Sequence, residues 1–513
     1  MNISKKNCCP KIFWYILYIL CCFGLFLFDL SYKKHNLSIY ILFIIVGILT
    51  TILIFTLIHF FKKVEYKKYH KLYFIMVIII GIIFMILAPP FMGSDEKTHF
   101  LRVYEITDKH FVSQVDKNGV LAYMPRSLNK AYSGNDDENV PLKGIISYSD
   151  ILSRFSIPLD KDNNIPYCNC NLTNYFGASL YSPFQYIPSI IGVEIGKVLN
   201  FGPIILLYLA RLLNVISFAL LTTIGIKLLP KYKLPFMLIL LSPVVLAGAS
   251  TISADGFTNA IVFLFVAYIM NIVYNKKRIK YNDKLLLVLC TFFIAMCKIV
   301  YIPIILLLLL IPHECFKNRK DSWLFKIILI IFGFVVSFTW LHFATLLFGS
   351  QSEAFIFRKE FLLSHPVKYL FVIIRTYSLQ FDMHILNLFF GNQLYHWQLN
   401  VYPILSILYV IIIYMSLFSE KINFNFSKKC KILIISIIIL VIGLISTALF
   451  IQAGMEKGNS IIKGIQARYF IPILFLVPFI FNIKKEKFSQ NLIFILFCIL
   501  YLPAIFTIII TFI

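Results

Sequence analysis

Long apolar runs are the feature that most constrains this chain, because a helix of about 20 apolar residues spans the hydrocarbon core of a bilayer. Of the 513 residues, 59% are hydrophobic and 14% are charged, whereas a soluble domain carries about 25% charged residues. The sequence therefore predicts an all-α polytopic membrane protein with about 13 transmembrane helices. The candidate runs are 12–29, 37–61, 72–91, 205–229, 234–252, 255–274, 285–297, 299–312, 322–346, 400–418, 430–452, 468–483 and 492–513.

These runs divide the chain into a core with an addition at each end. Residues 1–71 are predicted to hold two additional N-terminal transmembrane helices; no small-x-small cleavage site follows the first, so we interpret it as an uncleaved span. Residues 72–483 form the predicted transmembrane core, with large outer loops at 92–204 and 347–399. Residues 484–513 are predicted to form a C-terminal transmembrane helix.

The basic residues predict how the chain is oriented. The net charge is +24, from 48 Lys and Arg against 24 Asp and Glu. The basic side chains cluster in short loops, without the basic stripe and interleaved aromatics typical of nucleic-acid binding. The positive-inside rule predicts that these loops and the N-terminus are cytoplasmic. The abundance of Ile, Lys, Asn and Phe suggests a bacterium, so the membrane is expected to be its plasma membrane. The loops are 62–71, 227–233, 275–284, 317–326, 420–431 and 484–487.

This topology has consequences for three apolar segments. A full span over 178–199 would move every later basic loop to the wrong side of the membrane, so helices lying at the outer interface are expected there. Interfacial amphipathic helices are also expected at 366–380 and 384–397. The run 284–312 has basic loops at both ends and must cross twice or not at all. We predict a short hairpin with its tip at Cys297-Lys298-Ile299, which places Lys298 at the bottom of an outward-facing cavity. The alternative is one long tilted helix with Lys298 snorkelling.

A polar segment follows the third apolar run and contains the first candidate site residues. Asp95, Glu96, His99 and Arg102 lie within eight residues, where a membrane helix is expected to leave the bilayer. If a helix starts at Ser94, Asp95, His99 and Arg102 share one face. An ordinary capped surface helix is the alternative interpretation.

Further ionisable residues lie at predicted outer ends of apolar runs, where charge is costly and often functional. They are Arg211, Asp255, Lys298 and Arg468. Carboxylates can accept a proton, whereas Arg and Lys neutralise phosphate. This pairing predicts a site for a lipid-borne phosphosugar and a hydroxyl acceptor, with Asp95 as the base. The alternatives are that Asp255 is only a helix N-cap, Arg468 an interfacial anchor and Arg211 a partner within the bundle.

Four short motifs resemble the bacterial membrane-protein family called domain of unknown function 2142. They are residues 90–99 (PFMGSDEKTH), 208–214 (YLARLLN), 253–255 (SAD) and 466–472 (QARYFIP). That family is itself similar to the integral-membrane glycosyltransferases of the C superfamily (GT-C). The resemblance implies a GT-C-like fold, a polyprenyl-phosphate-sugar donor and an acidic catalytic base in the first large outer loop. Asp95 matches that position, with Glu96 beside it. Ala467 departs from the Gly expected before the Arg.

The expected function is therefore transfer of a sugar from a polyprenyl-phosphate donor to a glycan or glycolipid acceptor, in the cell wall or on the surface outside the bilayer. Asp95 and Glu96 are the candidate catalytic residues, and His99, Arg102, Arg211, Asp255, Lys298 and Arg468 are the candidate substrate and phosphate ligands. No cofactor is required, although a divalent cation is compatible with the site. The alternatives are a flippase or other transporter of lipid-linked saccharide, a glycan polymerase or ligase, and a non-catalytic assembly partner.

Overall fold

A computed structural model describes residues 48, 52, 56–113, 123–133, 148–161, 164–166, 178–347, 353–390, 403–421, 426–455, 460–481, 483 and 486–512. The predicted span 12–29 and most of the predicted span 37–61 lie outside the described residues. Much of the loop 92–204 and part of 384–397 lie outside them as well. The domain boundaries therefore remain predictions.

The described chain is almost entirely helical. In chain order the α-helices are α1 (Tyr69–Leu87), α2 (Glu96–Thr107), α3 (Arg126–Ser133), α4 (Tyr148–Arg154), α5 (Ile187–Val198), α6 (Pro203–Leu228), α7 (Lys233–Leu240), α8 (Pro243–Ser250), α9 (Asp255–Asn275), α10 (Tyr281–Cys297), α11 (Arg319–Leu347), α12 (Glu353–Ser364), α13 (Pro366–Leu379), α14 (Phe381–Leu386), α15 (Pro403–Leu417), α16 (Lys428–Ala453), α17 (Ile471–Leu474) and α18 (Gln490–Phe512). A two-stranded antiparallel ribbon pairs β1 (Tyr123–Pro125) with β2 (Asn164–Pro166). Short 3-10 helices include Tyr66–Lys68, Pro183–Tyr186, Ile299–Leu310, His313–Cys315, Ala467–Phe470 and Val477–Ile480.

Five of the described helical segments are long and apolar enough to cross a membrane, and a bent pair would make a sixth. They are Tyr66–Leu87, Pro203–Leu228, Asp255–Asn275, Arg319–Ala344 and Lys428–Ala453. These segments confirm a multi-pass all-α protein, whereas the predicted number of about 13 spans is not confirmed. Helix α9 is the most enclosed of the five, because 89% of its apolar stretch is buried. It therefore forms the centre of the bundle.

Two predicted continuous spans are interrupted. The run 234–252 consists of α7 and α8, whose axes differ by 57°. The break falls before Pro243, because proline restricts the preceding residue and takes the first position of a new helix readily. The run 468–483 is divided into short 3-10 and α segments with Pro472 and Pro478 at their starts. Both corrections have a visible sequence cause.

Hydrogen bonds show which helix ends lie together. Helix α1 begins where α6 and α9 end, so α1 runs in the opposite direction to both. Tyr73 near the start of α1 donates to Thr222 near the end of α6 at 2.8 Å, and Asn271 near the end of α9 donates to the carbonyl of Leu228. We call this the basic end, because the basic loops 227–233 and 275–284 lie here. The opposite end, where α1 finishes and α9 begins, is called the site end.

The predicted hairpin over 284–312 is present in the structure. Helix α10 ends at Cys297, Lys298 is extended, and a 3-10 helix returns over Ile299–Leu310. The Ile279 amide donates to the Cys315 carbonyl at 2.8 Å, so both arms meet at the basic end. The single tilted helix is therefore excluded, and Lys298 lies at the tip. Each arm is about 25 Å long, which is less than the roughly 30 Å of a hydrocarbon core.

Helix α5 occupies the segment 178–199 for which interfacial helices were predicted. It has 12 residues and is therefore about 18 Å long, too short to span. Its Gly192 faces α6 so closely that an added Cβ would lie 2.6 Å from the Ala210 Cα. The opposite face exposes Ile191, Ile195 and Val198, as expected of a helix lying against lipid.

A second outer region contains α12, α13 and α14. Helix α13 confirms the helix predicted over 366–380, and it buries Tyr369, Val372 and Thr376 against the bundle. Its outward side exposes Phe371 and Ile374. The described part of the predicted helix 384–397 continues only to Leu386, where α14 ends.

Candidate functional site

The turn between α1 and α2 determines how the two adjacent acids are used. Helix α1 ends at Leu87, before a pair of prolines, and α2 begins at Glu96. Asp95 has φ +58° and lies outside the helix, with its carbonyl accepting from the His99 amide at 3.1 Å. A left-handed conformation is uncommon for a residue other than glycine. It turns Asp95 away from the face that a helix starting at Ser94 would have given it.

Arg211 fixes this turn from α6. Its guanidinium donates to the Glu96 carboxylate twice, Nε to Oε1 at 2.7 Å and Nη2 to Oε2 at 2.6 Å. It also donates to the carbonyls of Met85 at 3.1 Å, Ala88 at 2.5 Å and Pro89 at 3.0 Å. These three carbonyls belong to the end of α1 and the residues after it, where no intrahelical donor is available. Arg211 therefore joins α1, the turn and α2.

Each oxygen of the buried Glu96 carboxylate accepts two hydrogen bonds. Besides Arg211, its carboxylate accepts from the Ile252 amide at 3.0 Å and from the Gly93 amide at 3.2 Å. The side chains of Glu96 and Arg211 are both 0% exposed. We name this pair with its backbone partners the sealed pair. The neighbouring Asp95 side chain is 52% exposed, so adjacent acids lie in opposite environments.

Four charged side chains from distant parts of the chain meet at the site end. Arg468 Nη2 donates to Asp95 Oδ2 at 2.7 Å, and Arg468 Nε lies 3.4 Å from Asp255 Oδ2. Lys298 Nζ donates to Asp255 Oδ1 at 2.5 Å. The exposures of the Lys298, Asp255 and Arg468 side chains are 9%, 10% and 11%. We call Asp95, Asp255, Lys298 and Arg468 the charge cluster; their juxtaposition is the geometry that the predicted site required.

Tyrosines surround the cluster. The Lys298 ammonium lies 5.6 Å from the ring centre of Tyr181 and 5.2 Å from that of Tyr469, within cation–π range. Tyr301 donates to the carbonyl of Tyr469 at 3.0 Å, which fixes the segment bearing Arg468. None of these rings was among the predicted site residues. Tyr469 could have been found from its position beside Arg468, whereas the approach of Tyr181 depends on tertiary structure.

His99 borders the cluster as a neutral group. Its Nδ1 lies 2.6 Å from the Tyr186 hydroxyl, and its ring stacks on Tyr181 at 5.9 Å. Burial lowers its pKa to about 4, against an opposing effect of the Asp95 and Asp255 carboxylates. His99 therefore carries no positive charge near pH 7, which suits it for hydrogen bonding rather than for ion pairing with phosphate.

Arg102 lies apart from the charge cluster. It pairs with Glu105 at 2.7 Å and donates to the carbonyls of His110 at 3.1 Å and Phe111 at 2.6 Å. The predicted face of Asp95, His99 and Arg102 does not form as a unit, because α2 begins at Glu96 rather than at Ser94 and Asp95 has φ +58°. The acid three residues along α2 was a sequence signal for this local pair.

Asp255 is not the helix N-cap that the alternative interpretation proposed, because Ala254 holds that position and caps the helix with no side-chain hydrogen bond. Asp255 is the first residue of α9, and its backbone amide donates to the Ser253 hydroxyl at 3.2 Å. Its carboxylate contacts Lys298 and Arg468. Within the described residues, no three His, Cys, Asp or Glu side chains are grouped as a metal site. A separate apolar pocket, lined by Tyr232, Met270 and other residues, lies at the basic end.

Apolar helices that alternate between a basic end and an end with buried ion pairs define a multi-pass α-helical membrane protein. Residues 78–477 match the family model described as "Predicted membrane protein (DUF2142)". The chain therefore belongs to this family, domain of unknown function 2142, as the four sequence motifs predicted. No curated protein and no solved structure is detectably similar to it.

Proposed function

We propose that the protein is a membrane glycosyltransferase that moves a sugar from a polyprenyl-phosphate donor to a cell-wall or surface glycan. The observation that carries the proposal is the charge cluster, in which the half-exposed Asp95 carboxylate pairs with Arg468, and Asp255 joins Arg468 to a second enclosed cation, Lys298. A carboxylate can serve as a general base, and two cations can stabilise a leaving phosphate. The family of this chain is itself similar to GT-C enzymes, and that similarity implies a catalytic acid after the first core span, the position that Asp95 occupies.

The proposed orientation places the charge cluster outside the cell. The basic loops lie at the end of the bundle opposite to the cluster, and the positive-inside rule assigns such loops to the cytoplasm. The exposed apolar faces of α5 and α13 fit helices that rest on the outer leaflet. A lipid-linked donor in that leaflet would reach the site from the side.

In the proposed reaction Asp95 accepts the proton of an acceptor hydroxyl as its oxygen attacks the anomeric carbon of the donor. The bond between that carbon and the phosphate oxygen breaks, and its electron pair leaves with the phosphate. Lys298 and Arg468 neutralise the charge that develops on the phosphate. Glu96 suits the role of base less well, since both of its oxygens are engaged by buried donors. Arg211 and Glu96 instead hold the turn that presents Asp95.

The proposal is tested with the purified full chain in nanodiscs and a panel of radiolabelled polyprenyl-phosphate sugars with cell-wall glycan. We expect transfer by the wild type and its loss in Asp95→Asn. The matched control is Asp108→Asn, which removes another acid of the outer region, one paired with Lys197 at 2.7 Å, and should retain transfer. Transfer by Asp95→Asn at the wild-type rate would refute the base assignment. Movement of the lipid between leaflets without any transfer would instead identify a flippase.

A further inference from the structure

The four side chains of the charge cluster together carry no net charge. Its two acids, Asp95 and Asp255, offset its two bases, Lys298 and Arg468. His99, at its border, is neutral near pH 7. A donor phosphate adds negative charge to this balanced group, so it must compete with a carboxylate for one of the cations.

The two acids are held unequally. Asp255 lies between both cations and is enclosed, whereas Asp95 contacts Arg468 from a side chain that is 52% exposed. Water competes with Arg468 for the half-exposed Asp95 carboxylate, which weakens this ion pair, while the Arg468 side chain itself is 11% exposed. Arg468 Nε is also buried and donates no hydrogen bond to the described residues. Arg468 is therefore the cation that exchanges a partner most readily, and Asp95 is the partner that it gives up.

Building on the proposed function, we infer that the phosphate of the lipid-linked donor replaces Asp95 on Arg468, so that donor binding releases the carboxylate that acts as the base. The Lys298–Asp255 contact remains in place. The sealed pair holds the backbone on both sides of Asp95, so the Asp95 side chain can leave Arg468 while its backbone stays in place. The base thus becomes available after the donor has bound, which makes donor binding the first step.

The test is equilibrium binding of radiolabelled polyprenyl monophosphate, which lacks a sugar and cannot react, to the full chain in nanodiscs. Wild type, Asp95→Asn, Arg468→Ala and the double variant form a cycle. We expect Asp95→Asn to bind the lipid about 2- to 5-fold more tightly, as expected from removing a competitor whose carboxylate is half exposed. Arg468→Ala should bind about 10-fold more weakly, and adding Asp95→Asn to it should change nothing further.

Each other outcome identifies what is wrong. Equal or weaker binding by Asp95→Asn would overturn the exchange while leaving the proposed donor site intact. The same gain in the Arg468→Ala background would mean general charge repulsion and would also overturn it. Failure of the wild type to bind the lipid would refute both the exchange and the proposed function. Asp108→Asn serves as the control for removing an outer acid, and Arg468→Gln replaces Arg468→Ala if the latter does not fold.

Discussion

Glu96→Gln separates the two neighbouring acids by their effect on stability. The substitution keeps the size of the side chain but removes the charge opposite Arg211, in a pair whose side chains are both 0% exposed. Its amide group would also place a donor against one of the buried donors that now meet the carboxylate: Arg211, the Ile252 amide and the Gly93 amide. Removing one partner of a buried ion pair costs about 3–5 kcal/mol, so a loss of that size in the free energy of unfolding is expected.

The measurement is the free energy of unfolding in mixed micelles titrated with denaturing detergent, with Asp95→Asn measured in parallel. Asp95→Asn should change it by less than about 1 kcal/mol, because the Asp95 carboxylate is 52% exposed and Arg468 keeps its contact with Asp255. If Glu96→Gln is no more destabilising than Asp95→Asn, the sealed pair is not the anchor of the turn. Transfer assays should give the opposite order in folded protein, with Asp95→Asn the more severe loss.

Three further predictions follow from other parts of the structure. Gly192→Ala should cost about 1–3 kcal/mol of stability, since its Cβ would lie 2.6 Å from the Ala210 Cα; Gly443→Ala, with nothing within 4 Å, should be neutral or stabilising in the same unfolding assay. The pKa of His99 is lowered from 6.5 to about 4, so as pH falls through that interval the unfolded state binds the proton first, and stability should fall by at most about 3 kcal/mol. His99→Gln should remove this part of the pH dependence, and a His99 NMR titration midpoint near 6.5 would contradict it. Lys298→Met should weaken polyprenyl monophosphate binding roughly 10-fold or more in the nanodisc assay; unchanged affinity would remove Lys298 from the phosphate site.

The positions of the basic loops along the chain predicted features of the fold that involve residues distant in sequence. The alternation of basic loops required a hairpin with Lys298 at its tip, and the structure contains it. The same alternation of basic loops placed Asp95, Asp255 and Arg468 on one side of the membrane. In the structure Arg468 contacts both acids. Such agreement is expected because the cost of moving basic loops across a bilayer constrains the whole chain at once.

The choice of partner within the site could not be predicted in this way. Asp95 and Glu96 are adjacent and chemically alike, and what separates them is a left-handed φ at Asp95, a non-glycine residue. No local pattern predicts that conformation, because it depends on Arg211 arriving from a helix more than 100 positions later. Proline signals, by contrast, were available in the sequence, and the break before Pro243 could have been predicted.

The two ion-pair systems show why neighbouring acids can take different roles at the edge of a membrane. An ion pair with every donor and acceptor satisfied, such as Glu96 with Arg211, is strongly destabilised by loss of either partner and therefore suits a fixed structural position. A pair whose acid is half exposed, such as Asp95 with Arg468, separates at a smaller cost and suits an exchange of ligands. Because the sealed pair lies one residue from the half-exposed acid, the backbone at Asp95 can stay fixed while its side chain changes partner. A group that must accept a proton and then return to its cation needs this combination of a fixed backbone and a mobile carboxylate.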